Sequence, residues 1–178
     1  LSNMSDGAIV VPQHGINVGP MKTIQTKSSM HGITYLGVDT LEAIGGSDVV
    51  HWGKKLSKVF GVKTSALSCA GSNVRGKPFV GSTSLGMTND WVAVKNKYFV
   101  QVLSPLEGAS DCEIVVSRNR AYTNTLQISS VSANLKRDGC MLHPGDTYSW
   151  KSTYYVGPKK YSILRELDKH KHRVMQFG

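Results

Sequence analysis

The sequence predicts an all-β sandwich, and three observations carry the prediction. Apolar runs are short and recur along the whole chain, and the 18 glycines fall largely between them, which suits many turns better than a helical bundle. In the stretch 91–105, apolar residues stand at Val92, Val94, Tyr98, Val100 and Val102, the period of half-buried strands broken by a polar turn. Near the end, Tyr155-Val156-Gly157-Pro158 reads as a strand handing over to a helix, because proline at the first helical position gives up an N–H that would be unpaired there.

In chain order, 8–12 and 16–26 read as short strands and 33–38 as another. Asp39 and Thr40 can cap a single turn through Ile44, which Gly45-Gly46 stops. Ser47 can cap a short helix to Phe60, with Val49, Trp52, Leu56, Val59 and Phe60 on one face and Gly61 as its stop. Strands are then expected at 62–69, 78–85, as a pair within 91–104, and at 111–117, 121–129, 131–136 and 146–156. The turns between them, at 71–73, 88–90, 106–108, 118–120, 137–139 and 143–146, supply Gly, Asn, Asp or Pro where special dihedrals are needed. A C-terminal helix follows, with Tyr161, Leu164 and Leu167 on a buried face across the sandwich edge. At 178 residues, a single domain is expected.

The formal net charge of +9 is concentrated at Lys54, Lys55 and Lys58 and at Lys169, Lys171 and Arg173, the latter beside His170 and His172. Few aromatic residues are interleaved with either cluster, so a stacking surface for nucleic acid is not expected and solvated basic faces are. No run approaches the roughly 18 apolar residues that span a bilayer, and the start lacks a signal pattern. The sequence reads as a soluble piece of something larger.

Little chemistry is legible. Cys69, Cys112 and Cys140 are sparse and without ligand spacing, which suits small buried residues and leaves one disulfide open. His170 and His172 lie in a basic run that disfavours a cation, so no metal and no cofactor is expected. Residues 71–78 match a phosphate-binding loop only as far as Pro78, where Ser or Thr is needed for magnesium, and read as a turn. The carboxylates form no acid–base pair by spacing, and no catalytic residue is named.

Four motifs in order resemble the large periplasmic domain of the YidC membrane protein insertase family: 91–105, centred on Trp91, Tyr98, Phe99 and Pro105; Leu142-His143-Pro144-Gly145-Asp146; Tyr155-Val156-Gly157-Pro158-Lys159; and the closing Phe177-Gly178. The resemblance covers residues 88–178 and is weak before that. It implies a β-supersandwich of the galactose-mutarotase type closed by helical structure. It further implies a domain in the periplasm, in a protein of the bacterial inner membrane, flanked by transmembrane segments outside this sequence. The implied role is non-catalytic support of membrane-protein insertion and folding, with membrane-protein substrates, Sec translocon components and anionic lipid headgroups as partners. Trp91, Tyr98 and Phe99 are expected in the sandwich core, and Pro105, Pro144, Gly145, Gly157 and Pro158 at structural turns. Lys169, Lys171 and Arg173 would form a membrane-proximal basic tail. The alternative is a carbohydrate-binding or mutarotase-like domain, which a groove with a converging His and carboxylate would favour.

Overall fold

The computed structural model describes residues 1–22, 36–42, 49–52, 79–120, 126–167 and 169–175. Eleven strands are present among them. β1 (Ile9–Val11), β2 (His14–Lys22), β3 (Gly37–Glu42), β4 (Val49–His51), β5 (Phe79–Ser84) and β6 (Asn89–Lys95) come first. β7 (Phe99–Pro105), β8 (Asp111–Arg120), β9 (Leu126–Arg137), β10 (Cys140–Leu142) and β11 (Ser152–Pro158) follow, then α1 (Tyr161–Glu166) and a 3-10 helix (Lys171–Met175). They form a five-stranded sheet in the order β11-β7-β6-β3-β4, a four-stranded sheet β2-β9-β8-β5 and a two-stranded ribbon β1-β10. Every pairing is antiparallel. The all-β sandwich is as predicted.

The two larger sheets face each other across one core. Val38, Val92, Val94 and Leu103 from the first meet Val18, Ile114, Val116, Val131, Ala133 and Leu135 from the second. Alternate residues of the five-stranded sheet point the other way, and Leu41, Trp91, Ala93, Val100 and Val102 form a second core with Leu164 and Val174 from the closing helices. β6 is therefore buried on both faces rather than half-buried. The unbroken apolar run Trp91-Val92-Ala93-Val94 fits that position, as runs of this kind do wherever a strand is covered twice.

Several boundaries differ from expectation for physical reasons. Residues 39–42 continue β3 instead of capping a turn, and Val49–His51 pairs with it instead of opening a helix, because β-branched Val49 and Val50 suit a ladder. The remainder of that helix, 53–60, lies outside the described residues, as do the strand at 62–69, the loop at 71–78, Cys69 and Lys54, Lys55 and Lys58. The turn expected at 118–120 is the end of β8, paired with the start of β9, and β9 runs unbroken where two strands were expected. The irregularity there is a register shift between Ser117 and Arg118. Pro158 ends β11 and the helix begins at Tyr161, so this proline closes a strand rather than starting a helix. α1 lies on the outer face of the five-stranded sheet, where Leu164 is wholly buried, and not across the sandwich edge.

Cys112 is buried in the inter-sheet core; burial first, then the carboxylates of Asp111 and Glu113, push its thiol up to about 12. Cys112 and Cys140 are both free thiols. On the outer face of β8, Glu113 meets Lys136 of β9 at 2.9 Å, and that hydrogen bond is the main reason its carboxyl titrates below its ordinary 4.5. The native state thus holds this proton less tightly than the unfolded chain. Its stabilisation is present above pH 4.5 and is lost as pH falls through the native value. Glu113→Gln should flatten the acid limb of thermal stability measured by circular dichroism, and at neutral pH should cost under about 1 kcal/mol for so accessible a pair.

Candidate functional site

The densest polar arrangement lies on the outer face of the five-stranded sheet, beneath the C-terminal helices. Asp39 of β3 sits directly across from His51 of β4, and His51 Nδ1 lies 2.9 Å from Asp39 Oδ1. From the other side, Lys95 of β6 donates to Asp39 Oδ2 and, at 2.8 Å, to the backbone carbonyl of Val174. Gly37 stands opposite Lys95 and makes this possible: a Cβ there would lie 3.2 Å from Lys95 Cε, in the path of its stem. Burial lowers the Lys95 pKa and the Asp39 carboxylate opposes that shift. Lys159, whose Nζ donates to the carbonyl of Asn96, is lowered first by burial and then by the charge of Lys95.

The same face holds the rest of the C-terminal segment. The Trp91 indole N–H donates to the carbonyl of Lys169 at 2.9 Å, and Lys169 Nζ lies 3.3 Å from Asp90 Oδ2. Lys169 and His170 both adopt positive φ, a conformation that costs a non-glycine residue energy and persists only where neighbours impose it. Lys171 then folds back to donate to the carbonyl of Leu167 at 2.7 Å. Lys171 is buried and so is not part of a solvated tail, whereas Lys169 and Arg173 are exposed.

The family-motif residues divide by place. Trp91 is fully buried, in the second core beneath the helices instead of between the sheets. Tyr98, in the turn before β7, and Phe99, its first residue, are exposed instead of filling the core. Their turn is set by Asn96, whose Oδ1 accepts the N–H groups of Tyr98 and Phe99 at 2.9 and 2.8 Å. Pro105 is buried at the end of β7. Pro144 and Gly145, the latter at φ +84°, form the loop that receives the N-terminal segment. There the Gly145 N–H donates to the carbonyl of Asn3, and the Asn3 N–H to that of Asp146. Gly157 leaves room for the Tyr155 phenol, whose hydroxyl donates to the carbonyl of Pro158 at 2.9 Å; a Cβ would lie 2.6 Å from that oxygen.

A second constellation sits at one end of the sandwich. Tyr148 hydroxyl and His14 Nε2 are 2.7 Å apart, His14 Nδ1 lies 3.0 Å from the carbonyl of Pro12, and Arg137 stacks over the Tyr148 ring while pairing with Glu107. A cavity of about 530 Å³ opens beside them, lined by Thr88, Ser110, Arg137, Asp138, Cys140 and Tyr148. Both His14 nitrogens are committed, so this histidine offers the cavity no free imidazole nitrogen. Among the described residues, no group of three or more His, Cys, Asp or Glu side chains is placed to hold a metal, and no helix is long and apolar enough to cross a membrane.

Sequence reasoning found Trp91 and missed the Asp39, Lys95 and His51 row. The available signal was Lys95 itself, a charge at the outward register of a strand whose other outward residues are apolar.

Taken together, these features define a class: a β-sandwich module whose C-terminal helices are strapped over one of its own sheets. Residues 72–178 match the YidC periplasmic domain family, more than half of the sequence, and the chain belongs to that family. A search of curated proteins returns no match. Membership gives the chain a role in a membrane protein insertase, a periplasmic location at the inner membrane and membrane proteins as substrates.

Removing one partner of a buried ion pair leaves the other charge uncompensated, which costs about 3–5 kcal/mol, whereas replacing both by apolar residues is often near neutral. Asp39→Leu and Lys95→Met should each destabilise by that order in urea unfolding, and the double variant by much less than their sum. Additive losses would show that the pair does not organise this face.

Proposed function

We propose that residues 1–178 form one periplasmic accessory domain, which performs no chemistry and supports insertion and folding of inner-membrane proteins through protein contacts. The observation that carries this reading is the use to which the motif residues are put. Trp91 holds the C-terminal segment, Pro144 and Gly145 shape the loop that holds the N-terminal segment, and Gly157 admits a tyrosine. These are roles in a scaffold. Sec translocon components are the proposed protein partners.

Anionic lipid headgroups are proposed as a weaker contact through exposed Lys169 and Arg173, each worth about 1 kcal/mol near such a surface. Lys169→Gln combined with Arg173→Gln should lower cosedimentation with phosphatidylglycerol vesicles, and equal binding would remove the lipid contact.

The decisive comparison sets the full-length protein against a version lacking residues 1–178, scored for insertion of a test membrane protein and for crosslinked recovery of the translocon. Insertion that persists while recovery falls supports an accessory docking role. No change in either measure overturns it.

A further inference from the structure

Strand β11 ends the five-stranded sheet among the described residues, and its chemistry differs from that of the other sheet edges. Its N–H and C=O groups alternate between β7 and the open side. The bonds from Lys159 N–H to the carbonyl of Tyr98 and from Leu106 N–H to the carbonyl of Lys151 fix the alternation. Thr153, Tyr155 and Gly157 therefore face β7, while Ser152, Tyr154 and Val156 direct their backbone groups outward. Pro158 occupies the next outward position, has no N–H, and its carbonyl is taken by the Tyr155 hydroxyl. The ladder on offer is three residues long with a built-in stop.

Side chains add an apolar ledge beside that ladder. Tyr154 lies opposite Leu103, and Val156 opposite Gln101, on the side that faces the second sheet. β2 of that sheet packs over β6 and β7. Tyr154 is 55% exposed and Val156 60%, and Phe99 of β7, opposite Pro158, is 48% exposed. The other edges of the two larger sheets are blunted: β4 has three residues, β2 is broken by an irregularity between Val18 and Met21 around Pro20, and β5 presents Gly81, Ser82, Thr83 and Ser84. Exposed Lys151 and Lys160 flank β11 at its two ends.

Resting on the accessory-domain reading, we propose that β11 is a docking strand for an extended polypeptide segment, with apolar residues at alternate positions and acidic residues at its ends. The ladder selects the occupant. Only another peptide backbone supplies alternating acceptors and donors at strand spacing, the alternating apolar side chains would lie on Phe99, Tyr154 and Val156, and acidic ends would meet the two lysines.

The test uses a short synthetic peptide alternating valine and threonine between terminal glutamates. Its binding to the chain should slow hydrogen exchange at the Tyr154 and Val156 amides by tenfold or more, while Tyr155, already bonded to β7, changes little. Val156→Pro removes one outward N–H without breaking a bond to β7, in the register that Pro158 already tolerates. It should weaken the peptide about tenfold in fluorescence anisotropy, while Val156→Thr retains binding. Unchanged exchange at saturating peptide overturns the proposal, as does protection by phosphatidylglycerol vesicles in its place. Equal affinity of a folded Val156→Pro variant also overturns it. Peptide binding in a protein whose insertion and translocon recovery ignore the deletion leaves the docking strand standing and removes the accessory reading; the reverse result does the opposite.

Discussion

Burial of β6 on both faces is the constraint from which the rest of the structure follows. A strand reading Trp91-Val92-Ala93-Val94-Lys95 cannot leave either side to water, so the sheet that contains it must be covered twice. One cover is the four-stranded sheet, which meets Val92 and Val94. The other is the C-terminal segment, which among the described residues brings Leu164, Val174 and the flanks of Leu167 and Met175 to a face that also carries Trp91 and a buried lysine. So short a cover is held by polar bonds as well as by area. Lys95 bonds the carbonyl of Val174 in the 3-10 helix, and Trp91 that of Lys169 just before it.

That arrangement explains what the sequence made legible. Strand period, turn composition and the paired run around 91–105 were enough for the sandwich, because each is a local consequence of alternation between solvent and core. They failed where a strand had no solvent side. The same stretch reads as half-buried when Lys95 is taken for the start of a polar turn, yet its ammonium lies in the second core against Asp39. The partner is 56 residues away in sequence, a separation that no local pattern spans. His51 was hidden for a related reason: an apolar run that includes Trp52 fits a helix face, and the pairing that sets His51 opposite Asp39 on the neighbouring strand is not a local pattern.

The aromatic residues teach a different lesson. Size and hydrophobicity place Trp91, Tyr98 and Phe99 together in a core, yet only Trp91 is enclosed. Enclosure depends on what the assembled layers bring to a given register: Trp91 meets the C-terminal helices, whereas Tyr98 and Phe99 stand at the turn between β6 and β7. Phe99 shares the side of Leu103, which is buried, yet lies at the other end of β7, beside the turn that Asn96 sets. The position of a sheet boundary is a property of the assembled layers, which sequence patterns do not encode.

The two ends of the five-stranded sheet are consequently unlike. At the β4 end, His51, Asp39 and Lys95 form a row of charge that the 3-10 helix closes, and a strained turn at Lys169 and His170 is held by Trp91 and Asp90. At the β11 end, backbone groups and apolar side chains face outward, limited by a single proline. The bonds at the first end fix the C-terminal helices on the sheet, because releasing them would break the Lys95 bond to the Val174 carbonyl and the Trp91 bond to the Lys169 carbonyl together. A held C-terminal segment and an open edge belong to one sheet, so a contact made at β11 has a defined geometry relative to α1 and the 3-10 helix.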